Sequence, residues 1–371
     1  MPSVYYIISA TSIGGAEKRF IELWGYLQEA ETPFHYYLVI SEQLYNVLEK
    51  KPTISPLLAK YPDRIKVYNI SNNGSVVHFQ KKLYQYVCDQ TKTDDILHFV
   101  LSFPTYIFSL KHKRTVYSLT ESSLKNVNIK GKMLYLINIL RGRVVDILDP
   151  AVYKIIKKSF FFKNSRISMT PGSFVDTTVF KPADHHQKEN WFVFLGRFFY
   201  VKQVIQLLNV LPDVCRKLNE AGHSYKFIFL GDGQLQPEMS QIMTSPAYKN
   251  LPIEINWSYK PEEVLAKSKV FFSLQMRNNY PSKSLLEGVA AGNIPLVTDV
   301  GTTRLIARPE FSYYVPENFS ADDIAGQLLQ ILSLDETTLQ EKMMAARAFI
   351  SNNFAIQTSA AYYINLYKGL V

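Results

Sequence analysis

The stretch NNYPSKSLLEGVAAGNIPLVTDVG, residues 278–301, decides how this chain reads. Its second half is a short buried strand, and its first half is an apolar helix opened by Pro281 and Ser282. Glu287 stands inside that helix among Leu285, Leu286, Val289 and Ala290. A carboxylate in such surroundings is costly unless something compensates it. Two kinds of compensation fit: a pair of adjacent ligand hydroxyls, as on a ribose, or a local backbone or lysine partner. Just ahead of it, residues Ser282 to Leu285 would turn helix-terminal amides toward an anion.

Outward from this stretch, strand-like and helix-like segments alternate along the whole chain. VYYIISA, FHYYLVI, RIKVYNI, DILHFV, RTVYSL, VVDIL and RISMTP form a first series of short apolar runs. WFVFLGR, KFIFLGDG, PIEINW, KVFFSLQ, IPLVTDV and FSYYVP form a second. Such alternation predicts an α/β protein with parallel sheets covered by helices on both faces. The polar segment FKPADHHQKEN (180–190) separates the series and reads as a linker, giving domains over 1–183 and 184–355. Two doubly wound domains would place a ligand cleft between them, at the carboxyl ends of their strands. From Asp335 onward the chain reads as helix.

A length of 371 residues exceeds one ordinary hydrophobic core, and 47% apolar residues is within the globular range. No apolar run is long enough to span a bilayer, and the opening MPSVYYIISATSIGG lacks the features of a signal peptide. Cys88 and Cys215 suggest neither a disulfide framework nor a zinc site, so a reducing, cytoplasmic setting is expected. The net charge is +9, and residues 1–182 carry all of the excess, with 24 basic against 14 acidic residues. Lys111–Arg166 is densest, with 13 basic residues against three acids, interleaved with aromatic and aliphatic ones. This composition fits either a solvated face or a peripheral surface docking on an anionic membrane. No nucleic-acid recognition motif accompanies it.

Three more motifs stand at strand–helix junctions. SIGGAEKRFIEL (12–23) follows the first strand; Gly14 and Gly15 would let backbone amides face an anion, or simply make a turn. FLGRFFYVKQ (194–203) places Arg197 and Lys202 five residues apart, where a guanidinium clamp and an ammonium could converge on a phosphate. FIFLGDGQLQPEM (227–239) ends a strand with Gly231 and Gly233, which fits close approach to a ligand or a plain turn.

In this order the motifs resemble the retaining glycosyltransferases of family 4, also called group 1, which have the GT-B fold of two Rossmann-like domains. GGAEKR is similar to the family's glycine loop, GRFFYVK to its phosphate motif, LGDGQL to its GDG turn, and GSFVDTTVFKP to its domain junction. The opening stretch resembles the family's most diagnostic segment. The resemblance implies that Arg197 and Lys202 bind the donor diphosphate with help from the amides near Ser284 and Leu285, and that Glu287 holds the ribose. Trp257, Ser258 and Tyr259 fall where the family holds the nucleobase, and Gly14 and Gly15 would lie opposite the phosphates beside the acceptor. The terminal helix, about 356–371, is expected to cross back onto the first domain. Two positions depart from the family: Asn279 stands where a Glu contacts the donor sugar, and Thr120 where a His is usual. His98 and Glu121 are further candidates on the acceptor side, His98 being equally readable as a satisfied strand histidine.

The resemblance implies transfer of a sugar from a nucleoside-diphosphate sugar, with UDP or GDP expected as carrier, to a hydroxyl of a glycan or lipid-linked glycan with retention. No pair of carboxylates suited to a glycosidase-type double displacement is evident. Same-face attack, in which the leaving diphosphate takes the acceptor proton, would leave the protein to position groups and stabilise charge. Arg197, Lys202 and Asn279 are then the catalytic candidates. No D-x-D occurs, in keeping with metal-independent chemistry and no cofactor beyond the donor itself. Surface-polysaccharide assembly (capsule or lipopolysaccharide) at the inner membrane face would be the setting. The alternatives are a nucleotide-sugar-binding protein without transferase activity, and an epimerase or phosphorylase of the same fold.

Overall fold

The structure is a computed structural model that describes all residues except 12, 52–53, 71–75, 101–111, 120–143, 149, 151–152, 155–156, 158–166, 171, 184–187, 257–259, 279 and 281. The chain divides into two compact units, Met1–Ser173 with Ile356–Val371, and Phe174–Ala355.

The first unit holds strands β1 (Ser3–Ile8), β2 (His35–Ser41), β3 (Ile65–Tyr68), β4 (Ile96–Val100), β5 (Thr115–Leu119), β6 (Val144–Ile147) and β7 (Ile167–Met169). They form one parallel sheet in the order β3-β2-β1-β4-β5-β6-β7. All five residues of β4 are buried, as expected of a parallel strand covered on both faces.

The C-terminal helix Ile356–Lys368 belongs to this unit and is tied to the sheet by polar contacts. The Tyr362 hydroxyl donates to Asp146 Oδ1 at 2.6 Å, and that of Tyr363 donates to Asp146 Oδ2 at 2.7 Å. Arg19, on the helix Gly15–Glu29, donates to the Tyr363 hydroxyl at 2.8 Å and to the Gly172 carbonyl at 2.5 Å. Arg19 and Asp146 are both buried, so a charge of each sign is held inside this unit through one tyrosine. Burial raises the Asp146 carboxyl above the usual range, against the pull of the hydroxyls it accepts from and of the Arg19 charge.

The second unit holds β8 (Glu189–Leu195), β9 (Lys226–Leu230), β10 (Ile253–Asn256), β11 (Ser268–Ser273), β12 (Ile294–Thr298) and β13 (Tyr313–Val315). Their order is β10-β9-β8-β11-β12-β13, all parallel. The chain runs outward from β8 through β9 to β10, then returns to β11 on the other side of β8. The topological switch point, where doubly wound sheets bind ligands, is therefore at the carboxyl ends of β8 and β11. Apolar clusters cover both faces of the sheet, one around Phe192, Leu207 and Phe227, the other around Val193, Phe271 and Leu286.

The polar segment 180–190 is not a linker between the units. Phe180 is packed in the core of the second unit, and the Lys188 ammonium donates to the carbonyls of Ala291 at 2.6 Å and Leu265 at 3.1 Å. The division falls earlier, at 173/174, where the Val175 amide donates to the Phe354 carbonyl at 2.8 Å. Within this segment the Lys188 ammonium is taken up by helix-end carbonyls inside the unit, whereas Lys181 and Glu189 are exposed.

Candidate functional site

The loop leaving β8 carries Arg197 and Lys202, and the loop leaving β9 shapes it. Gly231 has φ +150°, and a Cβ there would lie 1.9 Å from the Gly196 carbonyl oxygen. Gly233 has φ +153°, and a Cβ there would lie 2.7 Å from the Phe198 carbonyl oxygen. Backbone bonds fasten the two loops together, Gly196 N donating to Leu230 O at 3.0 Å and Phe198 N to Asp232 O at 2.7 Å. The close approach that these glycines permit is thus to the neighbouring loop. Phe198, fully buried between them, anchors the base of the loop while Arg197 stays exposed.

Beyond it, a single 3₁₀ turn (Tyr200–Lys202) leads to Gln203, whose left-handed backbone (φ +51°) starts the helix Val204–Glu220. The Gln203 side chain donates to the Glu317 carbonyl at 2.6 Å, fixing the turn. Lys202 is half-buried, and among the described residues its ammonium has no hydrogen-bond or carboxylate partner. Burial, and then the Arg197 charge, push its pKa down to about 8. Two cations that repel each other, one of them the half-buried Lys202, form a site suited to a polyanion.

The helix Lys283–Ala290 follows β11 and begins at the same sheet edge. The Ser282 hydroxyl caps it by accepting from the Leu285 amide at 3.4 Å, so that amide is already engaged. The Ser284 amide meets no acceptor among the described residues. Glu287 is only 5% exposed and lies 3.8 Å from the Lys283 ammonium, one turn back on the same helix. Lys283 in turn donates to the Phe174 carbonyl at 3.3 Å and stands 5.0 Å over the Phe174 ring. Next to Glu287, Gly288 lets this helix approach β11 closely, since a Cβ there would lie 2.4 Å from the Phe271 ring. The buried carboxylate therefore has a lysine partner built into its own helix.

In the first unit the sequence candidates fare differently. The Gly14 amide donates to Glu17 Oε2 at 2.8 Å, so the helix's own carboxylate sits where an anion was expected. Gly15 is exposed, and open space surrounds the position of a Cβ. His98, readable from sequence as an acceptor-side group or as a satisfied strand histidine, has both ring nitrogens engaged within the first unit. It is fully buried, with Nδ1 2.7 Å from the Tyr367 hydroxyl and Nε2 2.7 Å from the Ser118 hydroxyl. Burial and the Arg19 charge hold its pKa well below the usual histidine value, keeping it neutral. Asn279, Thr120, Glu121, Trp257, Ser258 and Tyr259 lie outside the described residues, as does most of the basic stretch 111–166.

Two arrangements escaped the sequence reading. One is the tyrosine set on the C-terminal helix, legible only as Tyr363 and Tyr367 recurring at i and i+4. The other joins Asn278 to Thr302, whose amide and hydroxyl lie 3.2 and 3.0 Å from Asn278 Oδ1. No local pattern announces a contact across 24 positions.

Residues 175–348 match the family model described as glycosyl transferases group 1. A 113-residue stretch is 30% identical to a Campylobacter jejuni protein named as a GalNAc-alpha-(1->4)-GalNAc-alpha-(1->3)-diNAcBac-PP-undecaprenol alpha-1,4-N-acetyl-D-galactosaminyltransferase. That stretch spans 30% of this chain and 29% of the relative. Among solved structures, a glycosyltransferase from Rickettsia africae has a TM-score of 0.74 at 15% identity, covering 100% of this chain and 98% of that one. Anabaena HepE, solved in complex with UDP and glucose, also has a TM-score of 0.74, at 13% identity, with 100% of both chains covered. At such identities the likeness shows the fold, in agreement with the GT-B expectation.

Proposed function

We propose that this chain, which belongs to the group 1 glycosyl transferases through residues 175–348, moves a sugar from a nucleoside-diphosphate sugar to a glycan hydroxyl with retention. The observation that carries the reading is Lys202. A half-buried ammonium at a topological switch point, without an acid partner among the described residues and beside Arg197, is what a leaving diphosphate requires. Arg197 clamps the diphosphate oxygens and Lys202 adds its charge as the glycosidic bond breaks. The Ser284 amide faces the same anion from the helix end. Glu287 holds the ribose, its charge moderated by Lys283 so that the empty site is tolerable. The nucleobase lies at residues 257–259, and Gly14 and Gly15 border the acceptor.

The lipid-diphosphate named for the Campylobacter relative supports a lipid-linked glycan as the acceptor class. The UDP bound in Anabaena HepE supports a uridine donor. Among the described residues no helix is long and apolar enough to cross a membrane. Docking on an anionic membrane is assigned to the basic stretch Lys111–Arg166 of the first unit, in a surface-polysaccharide pathway at the cytoplasmic face.

The test is a transfer assay on a panel of lipid-linked acceptors and nucleoside-diphosphate sugars, with Lys202→Ala as control. The reading expects an α-linked product from an α-linked donor, and turnover reduced at least about a hundredfold in the variant. Undiminished turnover in Lys202→Ala would refute the site.

A further inference from the structure

At the edge of the second sheet where β8 and β11 begin, opposite the loops that carry Arg197 and Lys202, the second unit holds a cavity of about 520 Å³. That size is within the range of small-molecule sites. Its charges fall into two groups. At the rim, Glu189 and Glu336 are exposed and Lys269 is half-buried. Burial lowers the Lys269 pKa and the charges of Glu336 and Glu189 oppose that shift, so the two acids compensate this lysine.

The second group is Lys188 and Arg347, which form no ion pair among the described residues. Lys188 donates to the Ala291 and Leu265 carbonyls, and Arg347 to those of Ala290, Phe180 and Thr177. An ammonium has three N–H groups and a guanidinium five. Two of the first and three of the second are used, so one on Lys188 and two on Arg347 have no acceptor among the described residues. The helix ends they cap, at Leu265 and Ala290, supply about half a negative charge each, which offsets one of the two cations. About one positive charge remains. Burial, and then the Arg347 charge, push the Lys188 pKa down to about 7, in keeping with that excess. An apolar stripe leads to it, because Leu339 and Met343 stand eight and four residues before Arg347 on one face of the helix Glu336–Phe354. Met344 extends the stripe outward, and methionine adapts to varied ligand shapes.

We propose that this cavity binds a small amphipathic carboxylate, its head on Lys188 and Arg347 and its apolar body along Leu339, Met343 and Met344. The site is separate from the donor site and does not depend on the reading of it.

The experiment titrates octanoate into the full chain by calorimetry, with octan-1-ol and octylammonium as comparators, and follows the methionine methyl resonances by NMR. Octanoate is expected to bind once per chain with a Kd of about 1 mM or tighter. The two comparators should bind at least about tenfold more weakly, and the Met343 and Met344 methyls should shift most. Lys188→Met should weaken octanoate about tenfold. Met344→Glu, at an exposed position that folding tolerates, should weaken it about threefold or more and keeps the proposal testable if Lys188→Met does not fold. Lys202→Ala, at the opposite sheet edge, should bind octanoate as wild type does. No binding up to about 10 mM would overturn the proposal. So would equal binding of octan-1-ol, shifts confined to other methionines, or undiminished binding in both Lys188→Met and Met344→Glu.

Discussion

Lys283 and Glu287 stand one turn apart on the same helix, 3.8 Å from ammonium to carboxylate, with side chains 11% and 6% exposed. An i,i+4 pair of this kind at a surface is worth only a few tenths of a kcal/mol. Buried, its value is that neither charge is left alone. Removing the cation in Lys283→Met should therefore destabilise the chain by about 3 kcal/mol, because the carboxylate stays behind. Adding Glu287→Gln to that variant should recover part of the loss. Denaturant midpoints for the two single variants and the double variant measure this coupling directly.

Lys202 gives nucleotide binding a definite pH dependence. Its pKa lies at about 8 in the empty site, because burial and Arg197 oppose its charge. A bound diphosphate favours the protonated form, so binding takes up a proton above that pH. Affinity for a nucleoside diphosphate is expected to be flat below about pH 7.5 and to fall up to tenfold per unit well above 8. Calorimetry in buffers of different ionisation enthalpy would detect the proton uptake, and Lys202→Ala should flatten the profile.

Stability of the ligand-free chain moves the other way with pH. Lys188 is held down at about 7 by burial and by Arg347, against an ordinary lysine value of 10.5. Between those limits the unfolded chain binds the extra proton, so stability rises with pH from about 7 toward 9. Lys202 adds to the same trend. The thermal midpoint should climb over this interval, and Lys188→Met should reduce the slope.

In the first unit the Tyr363 hydroxyl bridges a buried Arg19 and a buried Asp146. Tyr363→Phe removes both bonds without changing the ring packing, at a cost of about 3 kcal/mol. Tyr362→Phe, which removes one bond to Asp146 and one to Ser168, should cost less because Tyr362 is partly solvated. Urea unfolding of the two variants would rank them.

Alternation of apolar runs made both sheets legible, because parallel strands buried on two faces leave that pattern in composition alone. The loop cations Arg197 and Lys202 were legible through their spacing around a strand end. The identity of Glu287's partner was open: Lys283 at i−4 was visible, but burial of both side chains depends on Gly288 admitting the helix against Phe271. His98 was ambiguous for a similar reason. Its partner Ser118 lies on the neighbouring strand 20 residues on and its partner Tyr367 lies 269 residues away, so no local pattern revealed that both ring nitrogens were occupied. The partner of the Gly14 amide is local, Glu17 three residues on, and the glycine pair alone does not announce it.

The central claim is that Lys202 and Arg197 hold the diphosphate of a nucleotide donor. A thermal-shift series with UDP, GDP, ADP, CMP and their sugars, on wild type and on Lys202→Ala at pH 7, tests it most directly. The account predicts that one nucleoside diphosphate raises the wild-type midpoint in a concentration-dependent way, and that Lys202→Ala loses most of the rise while remaining folded. A wild-type midpoint unmoved by every nucleotide, or a shift undiminished in Lys202→Ala, would contradict it.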